Sequence, residues 1–226
     1  MQLAHPAVAA GVADHSDFPE GPLRRLRRTV DLSLSFVYGS PEEADAAAKR
    51  IRTVHERVTG TVEGRPYRAN DPELLLWVHA TLVDSTFEVY RRFVGPIPEL
   101  ARRRYYEETK PSARLLGMTE EVIPPDLEAF DTYLAGMLRG EELRATPQSR
   151  WLVSGVLRPR VPPALRPAAE VVRLITLELL PPSIREMFDL RVGRGSRLVT
   201  AVAERSSRLL LPLLPDRLRT FSASRV

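Results

Sequence analysis

Apolar residues recur at helical spacing along nearly the whole chain, and most of its 20 prolines fall at the edges of those runs. That pattern leaves few architectures open. Each run has a wet face and a dry face, and the dry faces are buried by packing against one another. The stretch SPEEADAAAKRIRTVHERVTG carries a complete set of boundary signals. Ser40 stands at the N-cap, Pro41 at the first helical position, Glu42 and Glu43 in the first turn, and Gly60 just past the end. Asp71 and Pro72 open a second such run, which reaches Gly95. Leu74, Leu75, Leu76, Trp77, Val78, Leu82, Val83 and Phe87 make it apolar on several faces, which predicts the buried central helix.

Further helices are predicted from Leu3 to Val12, from Pro22 to Gly39, after Pro98 and between Pro125 and Gly140. The last third adds PALRPAAEVVRLITLELLP, PPSIREMFDL and an arginine-rich run from Ser196 to about Leu211. Only TVEGRPYRAN reads differently, as two tiny strands or a loop around Gly64. With no internal repeat or low-complexity linker, residues 1–226 are expected to form a single all-α domain of roughly eight helices. The apolar spacing begins almost at Met1, so an upstream helix is expected to be missing from this form of the chain.

Chemistry is constrained chiefly by what the chain lacks. There is no cysteine, so disulfides, zinc-thiolate sites, iron–sulfur clusters, haem-thiolate ligation and a cysteine nucleophile are all excluded. Any metal or haem has to be held by His, Asp, Glu or Tyr. No HExxH, P-loop, GxGxxG or GxSxG motif is present. The net charge of +4 comes almost wholly from arginine, and no helix-turn-helix segment accompanies it, so a nucleic-acid partner is not expected. No apolar run approaches the ~20 residues of a membrane span, and the N-terminus has no signal-peptide pattern. The expectation is a cytoplasmic protein without stable membrane insertion.

Four histidines remain as candidate ligands. His55 lies beside the apolar stripe of its helix, near Ile51 and Val58. It reads as a metal ligand or as a structural histidine. His79 sits within the most apolar helix, where an imidazole needs a polar partner that Thr81 or Asp84 would supply. His5 and His15 flank the first helix, His15 as part of a polar cap. In RRLRRT, Arg25, Arg28 and Thr29 share one helical face, either solvated or offering guanidinium and hydroxyl groups to a pocket.

Taken in order, LAHPAVAAGVADHSDF, PLRRLRRT, IRTVHERVTG, LLLWVHATLVDSTFEVYRRFVGP, RYYEETKPSARLLGM and LLPPSIREMFDL closely resemble the MpaB-type oxygenases, the family that includes the rubber oxygenase latex-clearing protein. The resemblance runs from residue 2 to about 220. It implies a globin-like helical core that binds non-covalent haem b (iron) and uses dioxygen on a hydrophobic small-molecule substrate, isoprenoids among them. It also implies His55 as the proximal iron ligand, Arg25 and Thr29 as the distal catalytic pair, and Arg28 and His79 as further cofactor contacts. Arg28 stands where the rubber oxygenase has a lysine, and arginine is too basic to ligate iron. The alternative from another class is a haem-free helical protein of the same fold, binding a hydrophobic ligand or serving as a scaffold.

Overall fold

The structure, a computed structural model, describes residues 1–15 and 22–215. A 3-10 turn at Gln2–Ala4 leads into α1 (Pro6–Asp14), followed by α2 (Pro22–Tyr38) and α3 (Pro41–Glu56). A two-stranded hairpin, β1 (Thr59–Val62) and β2 (Arg65–Arg68), precedes the long α4 (Pro72–Phe93). Then come α5 (Glu99–Leu115), α6 (Leu127–Arg139), α7 (Pro147–Leu157), α8 (Arg166–Leu179), α9 (Pro182–Met187) and α10 (Arg194–Leu210). The fold is all-α apart from the hairpin, as expected, with ten helices among the described residues rather than eight. The unanticipated α7 is capped by Thr146 and Ser149, each donating its backbone N–H to the other's side-chain oxygen, at 2.8 and 3.1 Å. Serine rather than glutamate at the third helical position makes that signal faint in the sequence.

Local chemistry explains the ends. Ser40 Oγ accepts from Glu43 N at 3.3 Å while Ser40 N donates to Glu43 Oε2 at 2.6 Å, a full capping box for α3. Ser40→Ala is therefore expected to lower stability by about 1 kcal/mol. The check is the midpoint of denaturant unfolding, and an unshifted midpoint refutes it. Asp71 precedes α4 as expected, but its carboxylate accepts from Arg68 N at 3.0 Å, so it closes the hairpin instead of capping the helix. The hairpin turn places Glu63 (φ 52) and Gly64 (φ 78) in the left-handed region, the geometry that two-residue hairpin loops prefer. At the far end of α5, Gly117 (φ 99) ends the helix with Met118 N donating to Ala113 O and Gly117 N to Arg114 O.

The core forms around α4. Trp77, Ala80, Val83 and Phe87 pack with Tyr106 of α5, Leu127, Phe130 and Leu134 of α6, and Ile184 and Phe188 near α9. Trp77 is fully buried, and its Nε1 donates to Gln2 O at 3.2 Å, tying the N-terminal turn to the centre. A second cluster joins Leu75 and Leu76 to Ala113, Met118 and Ile123. A third sets Ala7 and Ala10 of α1 against Tyr67 of the hairpin. Here α1 passes so close that a Cβ on Gly11 would lie 3.1 Å from Val58 Cγ1. Leu82 departs from the expected burial: it is 56 % exposed and faces a cavity instead of the core.

Candidate functional site

The first feature of the site is an apolar cavity of about 460 Å³. One wall is α4, through Thr81, Leu82, Asp84, Ser85, Glu88 and Val89. The opposite walls are mostly hydrocarbon, through Leu3, Val12, Val153, Val156, Leu157, Leu179 and Leu180 from the N-terminus and α1, α7 and α8, with Gln2 and Thr176 as their polar members. Polar groups therefore lie mainly in a strip along α4, at the helical spacing 81, 84–85, 88. Within it, Thr81 Oγ1 donates to Val78 O at 2.7 Å. Glu88 is held by Arg91 at 2.8 Å. Burial, reinforced by the nearby charges of Glu88 and Asp131, pushes the Asp84 carboxyl above the usual carboxylate range, with Arg102 opposing. Such a space suits a mostly apolar guest that presents one polar end to α4.

The second feature is the C-terminal end of α3. His55 lies in its last turn and is half-buried. Burial lowers its pKa, favouring the neutral ring, and Asn70 beside it opposes that shift. Asn70 Nδ2 donates to Arg52 O at 3.1 Å, one turn before His55. Asn70 Oδ1 is buried and makes no full hydrogen bond among the described residues. The Arg52 guanidinium in turn donates to Leu115 O, fixing this end of α3 to α5. Asn70 escaped the sequence reading because it lies 15 positions downstream, beyond the hairpin, and belongs to no motif.

Along its length α3 packs against α2, the helix that carries Arg25, Arg28 and Thr29. The side chains of those three lie outside the described residues. Like His55, His79, on α4, does not line the cavity. Its Nε2 is buried without a hydrogen-bond partner among the described residues, so neither Thr81 nor Asp84 satisfies it as the sequence suggested. His5 and His15 are engaged elsewhere: His5 Nδ1 caps α1 by accepting from Ala7 N at 3.2 Å, and His15 Nε2 donates to Thr59 O at 3.0 Å.

Burial pushes the His79 imidazole down from 6.5 to about 4. The unfolded chain binds a proton in that window and the folded one does not, so stability is full above the unfolded value and falls as pH drops through the window. His79→Leu is expected to flatten the pH dependence of stability between about pH 4 and 6.5, an effect of up to ~3 kcal/mol. Denaturant midpoints measured across that range test it, and a profile as steep as the parent's rules it out.

Among the described residues no three His, Asp or Glu side chains converge to hold a bare metal ion. Porphyrin brings four nitrogens of its own and needs a single protein ligand from an imidazole kept neutral. His55 has that chemistry, and the unsatisfied Asn70 Oδ1 beside it suits an acceptor for the ring's second nitrogen, the arrangement that orients metal-bound histidines. Among the described residues, His55 and Asn70 have the donor and acceptor chemistry that such a group needs.

Comparison with known proteins places this geometry in context. Residues 1–210 match the family described as "ER-bound oxygenase mpaB/B'/Rubber oxygenase, catalytic domain". Uncharacterised proteins of Mycobacterium bovis and Mycobacterium tuberculosis are each 29 % identical over 150 residues, 64 % of this chain and 59 % of the relative. The chain thus spans about three fifths of the length of the curated relatives it matches. No solved structure matches it. A helical fold with an apolar cavity, matched to that profile along nearly all of its described length, makes the chain a member of the mpaB/rubber oxygenase catalytic-domain family.

Proposed function

We propose that this chain is a haem b-dependent oxygenase that brings dioxygen to a hydrophobic small molecule, an isoprenoid being the fitting class. The observation that carries the reading is the largely hydrocarbon-walled cavity of about 460 Å³ whose polar lining lies mainly along α4. In this reading residues 1–226 act as one catalytic unit in the cytoplasm, with a globin-like arrangement around the haem.

The haem, once bound, supplies the oxygen activation. His55 would hold it through one ring nitrogen, and Asn70 Oδ1 would orient the imidazole by accepting from the other. Arg25 and Thr29 would lend the haem a guanidinium to hold negative charge and a hydroxyl to donate a hydrogen bond, with Arg28 on the same helical face. The leucine and valine walls bind the substrate's hydrocarbon and keep water away from the reaction. Asp84, with its carboxyl pushed toward the neutral form by burial, is placed to hold a proton near the substrate's polar end.

The test is to titrate the purified protein with haem and record the absorption spectrum, then add a short isoprenoid alcohol. One equivalent of haem is expected to give a sharp Soret band that shifts on addition of the alcohol, while Leu82→Trp and Val156→Trp, which fill the cavity, abolish the shift and spare the band. No haem uptake sinks the oxygenase reading and leaves the haem-free ligand carrier. Haem uptake with a shift unaffected by either tryptophan means that the cavity is not the substrate site.

A further inference from the structure

We propose that the outward face of α10 is a docking surface for an anionic lipid headgroup layer. The helix is packed with its dry side out. Ser196 and Thr200, at 3 % and 1 % exposure, face the protein, and Ala203 and Ser207 lie on the same side. The outward side carries Leu198, Val202 and Leu209, exposed by 67 %, 56 % and 67 %. Their spacing of four and seven residues sets them in one stripe. Leu213, 77 % exposed, extends it beyond the helix end, and Val172 of the neighbouring α8, 61 % exposed, widens it.

The orientation is fixed by polar contacts and so is not a free roll of the helix. Ser196 Oγ donates to Glu178 Oε1 at 3.1 Å, Arg92 pairs with Glu204, and Arg208 Nε donates to Arg92 O at 2.9 Å. A helix held in this way leaves its aliphatic stripe to water, and removing that stripe from water is the driving force for docking.

Charge selects the partner. Glu204 is the only acidic residue of α10, and Arg92 neutralises it. Arg194, Arg197 and Arg205 are exposed and make no ion pair among the described residues; Arg208 binds main-chain carbonyls, which leaves its charge uncompensated. Arg205 falls within the stripe and the others along one flank. Arginine stems are long enough to lie over acyl chains while the guanidinium stays at headgroup level. An aliphatic stripe without aromatic anchors, bordered by cations of one sign, fits a helix lying in the plane of an anionic membrane surface better than a protein hot spot.

Flotation with phosphatidylcholine vesicles, with and without about one third phosphatidylglycerol, tests this on both haem-free and haem-loaded protein. The full chain is expected to float with the anionic vesicles only, and less so at high salt. Leu198→Glu with Val202→Glu, both at exposed positions, is expected to weaken binding at least about tenfold with the circular dichroism unchanged. Arg197→Glu with Arg205→Glu is expected to do the same. Three results overturn the proposal: no flotation with anionic vesicles, equal flotation of parent and variants, or a parent dimer by light scattering that the leucine and valine changes dissolve. Failure to bind haem would sink the oxygenase reading and leave the flotation result standing.

Discussion

His55→Ala is expected to remove the Soret band of the haem-titrated protein. The residue sits at the end of a helix whose backbone is fixed by Arg52 and Asn70, so the ring is lost without moving its surroundings. It is only half-buried, and the folded state is expected to survive, with circular dichroism unchanged. With the imidazole gone, haem affinity is expected to fall by at least the factor of about ten that loss of a ligand's supporting partner costs. Free imidazole supplied to the variant is expected to restore the band, because the space left by the side chain matches the added ring. Asn70→Ala is expected to broaden or shift the band and keep it. A band of full intensity in His55→Ala transfers the ligand role elsewhere, and His79→Ala is then the variant to examine.

Trp77→Ala is expected to be the most destabilising single change, by about 3–5 kcal/mol in denaturant unfolding. Trp77 is fully buried against both α6 and the N-terminal turn, and neighbours fixed on two sides do not collapse into the space it leaves. The change also removes one of the two donors to Gln2 O, leaving the backbone N–H of His5. Since Met1, Gln2 and Leu3 wall the cavity, apolar ligand affinity is expected to fall together with stability. Trp77→Phe keeps most of the volume and loses the hydrogen bond, so about 1–2 kcal/mol is expected. A loss below 1 kcal/mol for the alanine variant would show that the N-terminal turn is not docked as described.

The helices were legible because their ends are written in short-range chemistry. Ser40 with Glu43 before α3, Pro72 at the start of α4 and Gly140 at the end of α6 act within a turn of where they stand. The cavity was not legible, since its walls come from positions as distant as Leu3 and Leu190, and Leu82 looks the same in sequence whether it meets a core or a void. His55 was visible as a candidate, and Asn70 was not, because a side-chain amide across a hairpin leaves no periodic trace. The amphipathic pattern of α10 announced a dry face without saying what covers it. Thr200 and Ser196 reverse the usual assignment, with the hydroxyl side turned inward.

Arg92, near the C-terminus of α4, collects the carbonyl of Glu178 in α8 and the carboxylate of Glu204 in α10, while its own carbonyl receives Arg208. The last two long helices are thus joined to the body by one guanidinium and a few polar bonds as well as by the apolar contacts of Leu177 and Leu180. Cooperative unfolding spreads through packed side chains, and polar joints interrupt it. The α8–α10 pair is therefore expected to open before the core around α4 does. Its amide protons are expected to exchange through a partial opening of lower free energy than global unfolding, at a rate that rises when Arg92 is neutralised while the exchange of α4–α6 stays unchanged.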